Sequence, residues 1–301
     1  MQKLVFWITY PILLLISKLP FPLFYLFSDF VFFFVFYVFS YRKKTVFDNL
    51  KLVFPEKDDN EIKKIRKQFF HHMVDMFLEM IKSISISEEE LKKRFVFTNL
   101  EEIDKIRAMN KSIVLICGHY ASYEWMNALQ LYGYDYRGFG IYKKVANPYF
   151  DKLAKDIRGR YDGELIRTVD ATQTITKNQK NGVLGIYGMI ADQTPRVQRA
   201  KYWAKFMGIT VPVFTGTEKL AKNLDMVVTY LHVEKVKRGY YQATFETITY
   251  NPETEKEFAI TDAYLRKLEK QIHAAPQYYL WTHKRWKFRN YPIPKEATVI
   301  D

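Results

Sequence analysis

The sequence predicts an α/β fold: a mostly parallel sheet with helices on its faces, preceded by hydrophobic N-terminal membrane-anchor helices. Three observations carry this reading. From Ile113 onward, short apolar runs alternate with stretches of helical period. The region just before that alternation reads as amphipathic helix opened by polar capping residues. Residues 1–41 hold two apolar segments crowded with aromatic side chains. No internal repeat or low-complexity linker follows, so the division expected is an anchor over residues 1–41 and one domain over 42–301.

Each element has its own warrant. Leu4 to Ser17 is apolar but short, because a helix needs about 20 residues to cross the hydrocarbon core. Phe21 to Tyr41 is long enough and is broken only by Ser28-Asp29. Whether these segments span the bilayer or lie in its interface stays open at this point. No small-residue cleavage site follows the first segment, so the anchor is read as retained. Arg42-Lys43-Lys44 then place the body on the cytoplasmic side. Asp58 to Ile84 is a long amphipathic helix with Ile62, Ile65, Phe69, Met73, Met76 and Met80 on its apolar face. Ser87 with Glu90, and Asn99 with Glu102, have the spacing of capping boxes that open two more helices. Strands are expected at 112–117, 136–142, 164–168, 183–190, 225–234 and 240–249. Helices are expected between most of them, at 122–132, 147–158, 170–181 and 216–223. The last two strands alternate threonine and aromatics and suit antiparallel pairing. Residues 261–275 close the pattern as an amphipathic helix.

Composition narrows the partners. The 301 residues are 48% apolar, enough for a sizeable core, and the single cysteine excludes an internal disulfide and any multi-cysteine metal site. The formal charge of +13 favours an anionic partner: nucleic acid, an anionic membrane surface, an acidic protein or a phosphate-bearing substrate. Nucleic acid is set aside, since the chain carries an anchor and no nucleic-acid-binding module. His71-His72 is not read as a metal pair, because adjacent helix positions point about 100° apart.

The chemistry centres on His119-Tyr120-Ala121-Ser122-Tyr123-Glu124. The segment follows the apolar run Ser112 to Cys117 and precedes an amphipathic stretch. His119 therefore lies at the carboxyl end of a strand, where open α/β sheets bind ligands. Glu124 falls in the first turn of the next helix. A carboxylate that takes one ring proton leaves the other imidazole nitrogen free as a base. Cys117 reads as a small core residue rather than a nucleophile. Four further segments stand out: Asp192-Gln193 after an apolar strand, Arg158 and Arg160 at the end of a helix, the loop Phe206 to Gly216, and the basic-aromatic run Tyr279 to Arg289.

Taken together the ordered set resembles the late, or secondary, acyltransferases of lipid A biosynthesis, within the lysophospholipid acyltransferase superfamily. The resemblance covers nearly the whole chain. It rests on the apolar N-terminus, Tyr41 to Glu56, the His119-x4-Glu124 motif, Tyr142 with Asn147-Pro148, Asp192-Gln193, and Trp281-x-His283-Lys284-Arg285. It implies an αβα body at the cytoplasmic face of a bacterial inner membrane. It implies transfer of a fatty acyl chain from acyl carrier protein to a hydroxyl of a lipid A precursor, with no cofactor and no metal. His119 is then the general base and Glu124 its orienting acid. Arg158, Arg160 and Asp192 match the family's polar positions and are expected to contact substrate, phosphate or oxyanion. Backbone amides near the start of the 122–132 helix are further oxyanion candidates. Lys143-Lys144 and Thr194-Pro195-Arg196 depart from the family pattern near the presumed acceptor side. Two other readings fit the same pattern: acyl transfer to an aminolipid or lysophospholipid, and a membrane-anchored scaffold of this fold without activity. Basic clusters at Arg42-Lys44, Lys143-Lys144, Arg196-Arg199-Lys201 and Lys284-Arg289 suit an acidic carrier protein.

Overall fold

The computed structural model describes residues 2–300; the side chains of Arg199 and Ile300 lie outside the described residues, and with them the Arg199 member of the basic cluster near residue 200. The N-terminal half is helical: α1 (Gln2–Lys18), α2 (Phe21–Phe33, extended by a π turn over Phe34–Val38), α3 (Lys43–Val53), α4 (Asp59–Lys82) and α5 (Glu88–Arg94). Then β1 (Phe95–Phe97), α6 (Glu101–Ala108) and β2 (Ile113–Cys117) lead into a 3₁₀ helix over Tyr123–Tyr132. There follow β3 (Arg137–Tyr142), α7 (Pro148–Arg158), β4 (Glu164–Arg167), α8 (Ala171–Lys180) and β5 (Gly185–Ile190). The chain continues through β6 (Tyr202–Phe206), β7 (Ile209–Pro212), α9 (Gly216–Asn223), β8 (Val227–Lys237), β9 (Tyr240–Thr249), α10 (Ala259–Ala274) and β10 (Thr298–Ile300).

The main sheet has the order β1-β9-β8-β2-β5-β3-β4. All its pairs are parallel except the β8–β9 hairpin. β2 is buried at every position, which is why it reads as an unbroken apolar run rather than an alternation. From β2 the chain builds β3, β4 and β5 on one side and later reaches β8 on the other. That reversal opens a crevice at the carboxyl ends of β2 and β5.

All six expected strands form, with ends shifted by at most three residues. Three local expectations need correction. The 122–132 segment winds as a 3₁₀ helix, whose apolar spacing resembles an α-helix but whose rise of about 2.0 Å per residue carries it further across the sheet. Asn99 caps nothing; its amide instead pairs with both backbone groups of Phe245 in β9, at 2.8 Å each. The segment from Phe206 is a hairpin, not a loop: Met207 and Gly208 both have positive φ, the turn that joins β6 to β7. Ser87 does cap α5, accepting from Glu90 N at 3.2 Å, and Asp58 makes a full capping box with Glu61 on α4.

Candidate active site

The parallel register of β2 and β5 sets Cys117 beside Ile190. Two residues further along each strand stand His119 and Asp192, and the same pairing brings them level. The Asp192 carboxylate accepts twice from His119: from the backbone N–H at 3.0 Å and from ring Nδ1 at 2.6 Å. With Nδ1 donating, Nε2 carries the lone pair, and Gln193 Nε2 lies 3.3 Å from it.

The turn that presents His119 is held from below and from the side. Gly118 sits against α10, where a Cβ would meet Leu268 Cδ1 at 2.5 Å. Leu280 N donates to His119 O at 3.0 Å, and Ala121 N donates to Tyr278 O at 3.0 Å. Ala121, buried and without glycine's freedom, is kept at φ +49° by this clamp.

The electrostatics favour a charged Asp192 and a basic imidazole. Burial pulls the His119 imidazolium down, but the charge and hydrogen bond of Asp192, and then Glu124, outweigh it and leave the pKa above the ordinary histidine value. Burial pushes Asp192 up, yet His119 and the Arg285 charge hold its carboxyl below the usual range. Arg285 is itself buried: Nη1 donates to Pro212 O at 3.0 Å, while Nε and Nη2 find no acceptor among the described residues. His283 is kept neutral by burial, its pKa lowered to about 4, and its Nε2 accepts from Thr194 N at 3.2 Å.

Glu124 is turned to Arg158 rather than to the His119 ring. Its carboxylate is gripped by Arg158 from α7, with Nε at 2.9 Å and Nη2 at 2.6 Å. The reason is geometric: Asp192 already occupies Nδ1, and the 3₁₀ winding after Tyr123 aims Glu124 at α7. Asp192, expected as a substrate contact, is the carboxylate on ring Nδ1. Arg160 is not brought to the site either; Nη1 donates to Ser83 O at 2.9 Å and ties its loop to α4. The Trp125 amide, near the start of the 3₁₀ helix, closes on Ser122 O at 3.1 Å and is spent within the turn.

His119, Glu124, Arg158 and Gln193 line a cavity of about 610 Å³, within the range of small-ligand sites. The cavity runs between the sheet and the 3₁₀ helix. Gly140 of β3 pairs with Gly188 of β5, and Leu115 of β2 pairs with Gly188 from the other side. Paired residues in parallel strands face the same way, and on that face the Met126 methyl packs over Gly188 and Leu165 Cδ2 over Gly140, 3.2 and 2.8 Å from where a Cβ would stand.

Other singled-out residues fall elsewhere. Cys117 is buried against Met126, Sγ to Sδ 4.0 Å, and burial followed by the Asp192 charge pushes its thiol well above the ordinary range. A Cys117→Ala variant is therefore expected to keep at least about half of wild-type turnover, since the thiolate needed for nucleophilic attack is suppressed; steady-state rates and intact-protein mass for an acyl adduct check this. His71 and His72 face different partners, Asp29 for the first and Tyr278 with Lys235 for the second. In the C-terminal run Trp281, Arg285 and Trp286 are core, the two indoles stacked at 5.8 Å. That leaves Lys284, Lys287 and Arg289 as the surface charges of that cluster.

The family model for bacterial lipid A biosynthesis acyltransferases matches residues 1–288. The chain belongs to this family. It is similar to the lipid A biosynthesis lauroyltransferase of Escherichia coli (strain K12), at 26% identity over 298 residues, 96% of this chain and 93% of that protein. It is also similar to lipid A biosynthesis acyltransferase 2 of Shigella flexneri, at 23% identity, covering 82% of this chain and 78% of that protein. The lipid A biosynthesis acyltransferase of Haemophilus influenzae matches at 22% identity over 77% of this chain and 72% of its own length. Membership makes this lipid A acyltransferase family protein an enzyme of acyl transfer to a lipid A precursor.

Proposed function

We propose that this acyltransferase takes its acyl group from acyl carrier protein and passes it to a hydroxyl of a membrane-embedded lipid A precursor, with His119 as general base oriented by Asp192. The observation that carries the reading is the His119–Asp192 pair, whose imidazole lines the cavity between the sheet and the 3₁₀ helix. The acceptor hydroxyl displaces Gln193 from His119 Nε2 and gives its proton to that nitrogen as its oxygen attacks the thioester carbonyl. Collapse of the tetrahedral intermediate breaks the C–S bond, and the imidazolium returns the proton to the leaving thiolate. General-base help of this kind is worth roughly 10²–10⁴-fold. Asp192 fixes the tautomer and stabilises the imidazolium. Gln193, beside Nε2, supplies a donor for the developing oxyanion. The acyl chain lies against Leu115, Ile186 and Ile190, beside the Met126 and Leu165 side chains that cover Gly188 and Gly140. Arg158, held by Glu124, faces the same cavity and meets an acceptor phosphate or the oxyanion. The body faces the cytoplasm, on the side of Arg42-Lys43-Lys44, at the inner membrane.

The donor assignment has a physical basis. Lys143 lines the cavity and Lys144 follows it, so positive charge stands where an acidic carrier would dock. The test compares kcat/KM for acyl carrier protein and coenzyme A thioesters of equal chain length, with rising salt, at saturating detergent-solubilised acceptor. The carrier protein is expected to be favoured by about tenfold or more at low salt, and the advantage to shrink as the salt screens it. Equal or better use of the coenzyme A thioester would overturn the donor and favour a glycerolipid acyltransferase.

A further inference from the structure

We infer that α1 and α2 lie in the plane of one anionic leaflet, half-sunk on their outer faces, and do not cross the bilayer. The inference rests on the membrane reading above and decides its geometry. By length alone Phe21–Val38 qualifies as a span: its 18 residues reach about 27 Å, close to the thickness of the hydrocarbon core. Its contacts forbid that use.

The α1–α2 corner, both helix ends and the middle of α2 are all tied to the body. At the corner, Ser17 is fully buried, and its carbonyl accepts from Lys82 Nζ at 2.7 Å and Ser85 Oγ at 2.6 Å. In mid-α2, Tyr25 donates to Glu79 at 2.9 Å and Ser28 to Asp75 at 2.7 Å. Asp29 is held by His71 Nε2 at 2.8 Å and Arg238 Nη2 at 2.6 Å, and the same guanidinium also binds Asp75. Beyond the π turn, Arg42 Nη1 donates to Thr282 O at 2.9 Å. Near the start of α1, Phe6 stacks on Tyr149 of α7 at 5.6 Å. A helix crossing the bilayer would carry its middle out of reach of α4 and the β8–β9 hairpin, or drag Arg238 and Asp75 into hydrocarbon.

The opposite face is built for lipid. Leu23, Leu26, Phe30, Phe33 and Tyr37 follow the 3–4 spacing of one helical stripe, and all are exposed, Leu26 at 65%. On α1 the exposed stripe is Leu4, Trp7, Ile8, Ile12 and Leu15, with Trp7 at 67%. Lys18 and Arg42-Lys43-Lys44 lie at the ends of the stripes, where anionic headgroups would meet them. A second protein would need no such basic flanks on an otherwise aliphatic and aromatic surface. The arrangement also sets the cavity at the membrane surface. The Tyr149 that Phe6 stacks on is four residues from Val145, which lines the cavity. An acceptor lipid then reaches His119 by sliding within its leaflet.

Trp7 makes the geometry measurable, because the other four tryptophans are buried in the body. The full-length protein is bound to vesicles of phosphatidylethanolamine and phosphatidylglycerol whose acyl chains carry bromine at a shallow or a deep carbon. In parallel, Lys18→Cys and Lys256→Cys, each in a Cys117→Ala background, are reacted with an impermeant maleimide in spheroplasts and in inverted membrane vesicles. Quenching is expected to be strongest with shallow bromine, to vanish in Trp7→Phe, and both cysteines to react from the same side as the body. Strongest quenching by bromine at the bilayer centre, or reaction of Lys18→Cys from the side opposite Lys256→Cys, overturns the in-plane geometry while leaving membrane binding standing. Failure to bind vesicles at all removes the membrane reading and the geometry with it.

Discussion

His119→Ala is expected to lower kcat for acyl transfer by about 10²–10⁴-fold, because the substitution removes the ring nitrogen whose lone pair meets the cavity beside Gln193. It also has a structural consequence. Asp192 is 1% exposed and loses its ring donor, keeping the His119 backbone N–H and the nearby Arg285 charge. A buried carboxylate with one donor removed costs about 1–3 kcal/mol, so the variant should melt at a lower temperature than wild type. His119→Asn restores a polar group against Asp192 without restoring a base. It should recover part of the melting temperature and none of the rate. Single-turnover transfer from acyl carrier protein and thermal melts of all three proteins separate the two effects. A His119→Ala enzyme that keeps more than about a tenth of the wild-type rate would contradict the assignment of the base.

What could be read in advance divides along physical lines. β2 announced itself because burial on both faces demands an unbroken apolar run, Ile113 to Cys117, and β9 through the alternation of a half-buried strand. The short strands β1, β6, β7 and β10 carry three to five residues each, too few for a period to show. His119 was legible from the order strand, glycine, histidine. The carboxylate that the structure sets on its ring was not legible, for a reason of scale: Glu124 is near in sequence, whereas Asp192 lies 73 residues away and becomes a neighbour only through the β2–β5 pairing. The signal was nonetheless present, since both residues follow the ends of expected strands. Knowing that the two strands are adjacent would have placed them together. Arg158 and Arg160 show the same limit. Two positions apart in sequence, they turn to opposite neighbours, Glu124 and Ser83. Residues 1–41 were legible as apolar, but only the contacts of Ser17, Asp29 and Arg42 show which face is turned to the body and so which is left for the lipid proposed above.

Asp192→Asn is expected to cost about 10²–10⁴-fold in kcat, and more than Glu124→Gln. The loss comes through the tautomer. The His119 backbone N–H can only donate, so an asparagine at 192 must turn its carbonyl oxygen toward that group. The amide NH₂ then faces ring Nδ1, which has to accept, and the ring proton moves to Nε2. An imidazole protonated at Nε2 cannot take the acceptor's proton there. Loss of the Asp192 charge also removes the strongest influence raising the imidazole pKa, so the acid limb of the kcat/KM profile should move to lower pH even as the plateau falls. Glu124→Gln keeps a carbonyl oxygen for Arg158 and leaves the Asp192 contact whole. Its effect on the limb should have the same sign and be smaller, with a rate loss of about tenfold, closer to the loss of one charge-assisted hydrogen bond. Rates measured from pH 5 to 9 for both variants, with melts to show folding, decide the matter. Equal losses would mean that Glu124 reaches His119 during turnover, and a larger loss for Glu124→Gln would return the orienting role to it.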